Sequence, residues 1–280
     1  MKSRTITAIV LLAVLVPVIW IGGIPFLVVA TLLSMIAAYE LIMMFRLKNE
    51  TIGKYKYIMP VVSGFAVVLH YLIHTAQIMN PVWYTIFITG AFVVFLALPI
   101  LFHKQEAEVM NYLLFTLFYT GISVAYLSSI RFMQGTGLAW FLFMVLVVIV
   151  TDTFAYLVGI NFGKKKLSPD ISPKKSIEGA IGGSVFGALV GTLFAFILKL
   201  DMFPAIESIG FTVVLTFLMT LLLTVFVQIG DLVASKLKRN YKIKDFGNIF
   251  PGHGGVLDRF DSMIFTGMVF YILFVLIRLV

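Results

Sequence analysis

Long apolar stretches separated by short polar breaks dominate the chain. A helix that spans a bilayer needs about 20 predominantly apolar residues. The pattern predicts nine such segments, at 6–21, 24–45, 57–74, 82–102, 109–129, 137–160, 178–199, 208–234 and 261–279. Gly22-Gly23-Ile24-Pro25 interrupts the first apolar run and predicts a tight hairpin between the first two helices. We interpret the first segment as a retained helix, since no Ala-x-Ala-like cleavage site follows it.

Composition supports the same conclusion. Hydrophobic residues make up 61% of the chain and charged residues 12%, against about 45–50% and about 25% in soluble domains. This excludes soluble globular and disordered proteins and predicts an all-α, polytopic integral membrane protein. The absence of cysteine excludes disulfides and thiolate metal sites. The net charge of +8 indicates cytoplasmic loops or anionic partners more than nucleic acid.

Basic residues predict the orientation, because they collect on the cytoplasmic side of membrane proteins. With the N-terminus inside and the C-terminus outside, Arg131, Lys199 and Arg278 are the only outer members of the 21 Lys and Arg residues. Lys104 belongs to the inner group. The long loops 161–177 and 235–260 also fall inside, and loops of this length are usually functional or disordered. We divide the chain into an anchoring region, 1–135, for membrane, dimer or lipid contacts, and a region 136–280 that contains both loops.

Several acidic residues fall at the inner ends of predicted helices. Intramembrane acids are costly and are functional candidates by default. Asp152 and Asp231 interrupt apolar runs, and this favours a functional role for both. For Glu40 we favour a side chain that reaches out to the membrane interface. Glu178, Asp258 and Asp261 equally fit a role as helix N-terminal caps.

The segment around the second loop combines acids, bases and glycines. If the eighth helix continues inward, Asp231, Ser235 and Arg239 share one face, with Lys238 beside them. A carboxylate, a hydroxyl and a guanidinium in line suit a metal-bound phosphate. The alternative is a basic loop that binds anionic lipid headgroups, although that does not account for the carboxylates.

The same segment ends in a glycine-rich turn and two further acids. Pro251-Gly252-His253-Gly254-Gly255 predicts a sharp turn that presents backbone N–H groups to an anion. His253 is a candidate for phosphate binding or proton relay. Asp258 and Asp261 share a face at the start of the last helix. With Asp231 they provide the oxygen ligands that Mg²⁺ prefers.

The first loop has the character of a phosphate-binding helix start. Ser172-Pro173-Lys174-Lys175-Ser176 precedes Glu178 and Gly179, and backbone donors and lysines there attract phosphate. We interpret Lys164, Lys165 and Lys166 as ordinary positive-inside residues. Glycines four residues apart, at 179, 183, 187 and 191, predict a close helix-packing face.

These motifs resemble a known family. Ser235-x-Leu-Lys238-Arg239, then Lys244-Asp245-x-Gly247, then Phe250-Pro251-x-His253-Gly254-Gly255-Val256-x-Asp258-Arg259-Phe260-Asp261, is similar to the signature of phosphatidate cytidylyltransferases. The run from Ser172 to Gly179 and the segment around Asp152 resemble that family too.

The resemblance implies a Mg²⁺-dependent cell-membrane enzyme, homodimeric, whose active site faces the cytoplasm and which joins CTP to phosphatidate with release of pyrophosphate. It implies a metal centre on Asp231, Asp258 and Asp261, with a monovalent ion such as K⁺ as a further candidate. Residues 136–280 then form the catalytic region. Lys244 and Arg259 join the acids as catalytic candidates. The substrate-binding candidates are Asp152, Ser172, Lys174, Lys175, Ser176, Glu178, Ser235, Lys238, Arg239, His253, Gly254 and Gly255.

Three other functions stay open at this point. A CDP-archaeol synthase or a polyprenol kinase also uses CTP at a membrane, and a kinase releases CDP instead of pyrophosphate. A transporter places acids across the full membrane depth, whereas here they cluster on one side. A lipid-binding scaffold binds nucleotide and forms no product.

Overall fold

The computed structural model describes residues 2–101, 107–204 and 206–279, so that Lys104 lies outside the described residues. The chain forms two compact units. Unit 1 consists of Met1–Met133 and Tyr241–Phe260, and unit 2 consists of Gln134–Asn240 and Asp261–Val280. The segment with the glycine-rich turn therefore belongs to the unit built by the N-terminal helices.

Unit 1 is helical, with short tighter and wider turns within and between its helices. Its helices are α1 (Lys2–Ile21), α2 (Gly23–Arg46), α3 (Ile58–His70), α4 (Val82–Leu101), α5 (Ala107–Thr116) and α6 (Ser123–Phe132). A 3₁₀ helix, Glu50–Tyr55, follows α2, a π-helical turn, Tyr71–Thr75, extends α3, and another, Leu117–Ile122, joins α5 to α6. The predicted fifth span is thus one continuous helical segment with a wide turn in its middle.

The predicted hairpin between the first two helices is confirmed. Gly22 has a φ of 68°, a left-handed conformation that glycine adopts at little cost. The Arg131 guanidinium donates to the carbonyl oxygens of Ile19 and Trp20, at 2.6 and 3.0 Å. A cation at these last carbonyls satisfies acceptors that have no partner within α1 and complements the helix dipole.

Buried hydroxyls bind the helices of unit 1 together. Ser34 of α2 donates to the Thr120 carbonyl oxygen at 2.9 Å, and the Thr120 hydroxyl bonds to Ser63 of α3 at 3.1 Å. All three side chains are buried. Because an unsatisfied polar group is costly away from water, these bonds fix the mutual register of the helices.

Unit 2 contains three long helices, a small hairpin and most of a fourth helix. Its elements are α7 (Gly137–Phe162), β1 (Lys166–Ser168), β2 (Ser172–Ser176), α8 (Ile177–Ile197) and α9 (Ile209–Asn240), and α10 (Leu257–Leu279) contributes to it from Asp261 onward. β1 and β2 are antiparallel, with Lys166 opposite Ser176 and Ser168 opposite Ser172. This hairpin lies in a loop for which no regular structure was predicted.

The glycine stripe forms the predicted packing face. A Cβ atom at position 183 of α8 would lie 2.7 Å from the Thr151 carbonyl oxygen of α7. At Gly179 it would lie 2.6 Å from the Ala155 carbonyl oxygen. α7 and α8 therefore approach to backbone contact, and only glycine leaves room for this approach.

The all-α polytopic fold is confirmed. Among the described residues, seven helical segments are long and apolar enough to cross a membrane: Gly23–Arg46, Ile58–Thr75, Glu108–Phe132, Gly137–Phe162, Ile177–Ile197, Ile209–Asn240 and Leu257–Arg278. Thr5–Ile21 and Val82–Ala97 are shorter apolar helices at the other two predicted positions. The predicted boundaries of the second loop were wrong, because α9 continues to Asn240 and α10 begins at Leu257.

The packing of α7 on α8 predicts opposite effects for one substitution at two helical glycines. In Gly183→Ala the new methyl group must displace the backbone of α7, so we expect a lower midpoint of thermal unfolding in detergent. A Cβ atom at Gly90 of α4 would meet nothing within 4 Å. Gly90→Ala should be neutral or slightly stabilising, by up to about 1 kcal/mol from helix propensity. Equal midpoints for the two variants would contradict the close approach.

Candidate active site

The densest charge in unit 2 centres on an ion pair between the hairpin and α9. The Lys175 ammonium of β2 contacts the Asp231 carboxylate, and both side chains are partly exposed. Asp152 of α7, whose side chain is exposed, lies within electrostatic range of Lys175 and Asp231. Three residues predicted from separate sequence motifs are therefore neighbours.

A further acid enters this cluster from α10. Asp261 is buried, and its Oδ1 accepts hydrogen bonds from the Ser262 backbone N–H at 2.7 Å and the Ser262 hydroxyl at 3.2 Å. It lies within electrostatic range of Asp231 and Lys238. Gly230 permits this arrangement, since a Cβ atom there would lie 3.1 Å from the Ser262 Cα atom. The residues in this close contact, Gly230 of α9 and Ser262 of α10, are the sequence neighbours of Asp231 and Asp261.

α9 continues as a helix to Asn240, so the condition for Asp231, Ser235 and Arg239 to share a face is met. Asp231, Ser235 and Arg239 are successive i, i+4 neighbours on this helix. Ser235 and Lys238 are half-buried, and Arg239 is exposed. Arg239 Nε makes a long hydrogen bond, 3.4 Å, to the Ile171 carbonyl oxygen at the turn of the hairpin. α9 therefore contacts the hairpin through Arg239 as well as through Asp231.

Two predicted substrate-binding residues of the first loop have structural contacts. Ser176 is the N-cap of α8, where its hydroxyl accepts from the Gly179 N–H at 3.1 Å. The Glu178 carboxylate accepts from the backbone N–H groups of Lys164 and Lys165, at 3.0 and 3.2 Å. These bonds fix both ends of the hairpin. Of the other candidates, Lys174 is exposed and Ser172 is half-buried.

The glycine-rich turn in unit 1 has the predicted sharp shape. Several of its N–H groups donate hydrogen bonds to acceptors in the same segment. Gly252 and Gly254 have positive φ, and Phe250 pairs with Gly254 across the turn. The N–H groups of His253 and Gly254 donate to the Phe250 carbonyl oxygen, at 2.8 and 3.1 Å. The Gly255 N–H donates to Asp258 Oδ2 at 2.9 Å. These three N–H groups therefore have acceptors in the same segment, the Phe250 carbonyl oxygen and the Asp258 carboxylate, and anion binding by the turn stays a prediction.

Asp258 accepts hydrogen bonds from two backbone N–H groups of the same segment. Its Oδ2 also accepts from the Phe246 N–H at 2.7 Å. One carboxylate oxygen therefore joins the start of the segment to its end. Arg259 is exposed and donates from Nε to the His253 carbonyl oxygen at 2.8 Å, and Lys244 is exposed.

Glu40 is the residue that sequence reasoning misplaced. Its side chain is 3% exposed and accepts from the N–H groups of Val256 and Leu257, at 2.9 and 3.0 Å. It does not extend to the interface, because these two donors at the start of α10 hold it inside unit 1. The available signal was an acid within an apolar run with no Lys or Arg within a turn of it.

The acids of unit 2 fit a magnesium ion that substrate would help to bind. Among the described residues, no group of three or more His, Cys, Asp and Glu side chains is arranged to hold a metal. Asp231 and Asp261 are close enough to interact, and Asp231 already contacts a cationic group, the Lys175 ammonium. Mg²⁺ typically uses one or two carboxylates and completes its shell with waters and substrate phosphates. Two carboxylates therefore suffice.

Comparison with known proteins supports the predicted resemblance. The model of a family described as "Cytidylyltransferase family" matches residues 2–277. A Staphylococcus epidermidis protein named phosphatidate cytidylyltransferase is 36% identical over 95% of this chain and 96% of its own length. Its Staphylococcus aureus namesake is 34% identical with the same coverage. A Bacillus subtilis protein of that name is 42% identical, over 54% of this chain and 53% of its own length. The match extends over nearly all of the sequence, and the chain belongs to the cytidylyltransferase family.

Proposed function

We propose that this protein transfers CMP from CTP to phosphatidate and produces CDP-diacylglycerol and pyrophosphate. The observation that carries the proposal is the family match over residues 2–277, together with near full-length relatives that are named for this activity. The apolar helices place the reaction in a membrane, where the lipid substrate resides.

The chemistry requires little from the protein beyond position and charge. A phosphate oxygen of the lipid attacks the α-phosphorus of CTP, and the bond from that phosphorus to the oxygen bridging to the β-phosphate breaks. A phosphate monoester is largely a dianion at neutral pH, since its second pKa is about 6. No protein base has to remove a proton. Alignment of the phosphates and neutralisation of their charge supply the rate enhancement.

The polar and charged residues have three proposed roles. Lys174 and Lys175 on the hairpin, with Ser172, bind the CTP triphosphate. Lys238 and Arg239 on α9 neutralise the phosphates of the lipid and the leaving pyrophosphate, and the signature residues Lys244 and Arg259 share this role. Asp231 and Asp261 would hold Mg²⁺, which supplies charge neutralisation at the nucleotide phosphates when bound.

Asp258 as a third ligand and K⁺ as a second ion stay predictions from the resemblance. The same holds for the homodimer. The proposed orientation, with the hairpin and the glycine-rich turn on the cytoplasmic side of the cell membrane, is supported by the positive-inside pattern.

An assay of both products tests the proposed reaction. Protein purified in detergent is incubated with phosphatidate, Mg²⁺ and CTP labelled at the α-phosphate. Label should enter the lipid, and one pyrophosphate should form for each labelled lipid. CDP as the soluble product would indicate a kinase. Absence of any product, beside an active cytidylyltransferase control, would favour a transporter or a scaffold.

Neutralising Asp261 should abolish catalysis and preserve the fold. Asp261→Asn keeps an oxygen that accepts from the Ser262 N–H and removes the charge available to a metal. We expect kcat to fall at least about 100-fold, as for the loss of a transition-state electrostatic contact. Asp201→Asn, at an exposed acid after α8, is the matched control and should keep wild-type kcat. Asp261→Asn within about threefold of wild type would remove this residue from the metal role.

Truncation of Lys175 and truncation of Lys164, both in the first loop, should have different effects on the KM for CTP. Lys175→Ala removes a charge from the predicted triphosphate site, and a charge-assisted hydrogen bond contributes about 1.5–3 kcal/mol. The KM for CTP should therefore rise at least about tenfold. Lys164→Ala alters an exposed side chain and should change this KM less than about twofold. Similar KM values for the two variants would contradict triphosphate binding by the hairpin.

A further inference from the structure

Glu40 of α2 connects the N-terminal helices to the start of α10. Its Oε1 accepts from the Val256 N–H at 2.9 Å, and its Oε2 accepts from the Leu257 N–H at 3.0 Å. Leu257 is the first residue of α10 and Val256 directly precedes it, and N–H groups at the start of a helix have no partner within the helix. A residue far away in sequence therefore supplies the cap that a local Ser, Thr or Asp usually supplies.

The segment before α10 is built around this carboxylate. A Cβ atom at Gly247 would lie 2.5 Å from Glu40 Oε1, and one at Gly255 would overlap the carboxylate. Both glycines thus leave room for Glu40. Asp258 Oδ2 binds the N–H groups of Phe246 and Gly255 in the same segment. Two carboxylates together accept four backbone N–H groups between residues 246 and 257.

The burial of Glu40 shows that its carboxylate does not serve to contact water or lipid headgroups. At 3% exposure the side chain gains little from water or lipid headgroups. A buried carboxylate needs hydrogen bonds to offset the loss of water, and here each oxygen has a backbone donor. Both donors belong to the segment that carries Asp258 and Arg259.

We propose that Glu40 is a positioning residue for the start of α10. This proposal rests on the proposed cytidylyl transfer. Glu40 fixes where α10 begins and thereby places the acidic first turn of that helix for catalysis. The anchoring region of the chain then contributes to the reaction as well as to membrane insertion.

Glu40→Gln tests this with almost no change in volume. A glutamine has one accepting oxygen, and its amide NH₂ group would face the second N–H as a donor against a donor. One of the two bonds must break. Glu50→Gln is the matched control, because Glu50 is exposed in the 3₁₀ helix that follows α2.

Two readouts separate positioning from simple stabilisation. Amide hydrogen exchange of peptides covering residues 246–257 should accelerate about tenfold in Glu40→Gln, as expected for the loss of one hydrogen bond. The kcat for each folded molecule should fall about tenfold or more, with the KM for phosphatidate within about twofold of wild type. Glu50→Gln should change neither quantity. Gly247→Ala, which displaces Glu40 from the opposite side, should reproduce both effects and serves if Glu40→Gln does not fold.

The outcomes are distinguishable. Unchanged exchange in residues 246–257 would overturn the contact, whatever the activity. Faster exchange with wild-type kcat would overturn the link to catalysis. A wild-type protein that forms no labelled lipid would overturn the proposed function and with it the catalytic part of this inference, while the exchange difference would still decide the contact.

Discussion

The supply of acceptors for the backbone N–H groups before α10 is the constraint on which the shape of the signature segment depends. The glycine-rich turn binds the N–H groups of His253 and Gly254 internally, whereas the buried N–H groups on either side of it need other partners. Glu40 and Asp258 accept four of them, at 2.7–3.0 Å. Glu40 belongs to α2. The segment before α10 therefore takes its shape from contacts with α2 as well as from its own sequence.

In unit 2 the main constraint is different, because several carboxylates lie near one another. Asp231 lies within electrostatic range of both Asp152 and Asp261, and Lys175 and Lys238 supply positive charge beside these acids. Backbone contact between α7 and α8, and between α9 and α10 at Gly230, sets the spacing of these groups. These charged groups are already in position, which suits the proposed transfer between phosphates.

Much of this was predictable from the sequence, because apolar length and glycine spacing act locally. The helices, the sharp turn at Gly252 and the close-packing glycine face of α8 followed from such patterns. The hairpin was missed, although Pro169-Asp170 between its strands is a turn signal. The donors for Glu40 were not predictable, since 216 residues separate it from Val256. The acceptors of the turn N–H groups, Phe250 and Asp258, are only three or four residues away, but a glycine-rich turn does not by itself indicate which nearby groups accept them.

The central claim is that the protein positions two phosphates and neutralises their charge, with phosphatidate itself as the nucleophile. The stereochemical course at the α-phosphorus tests it most directly, with CTP of defined configuration that carries sulfur on that phosphorus. A single in-line displacement predicts inversion of configuration in the CDP-diacylglycerol product. Retention would mean two displacements through a covalent enzyme intermediate, and it would contradict this account.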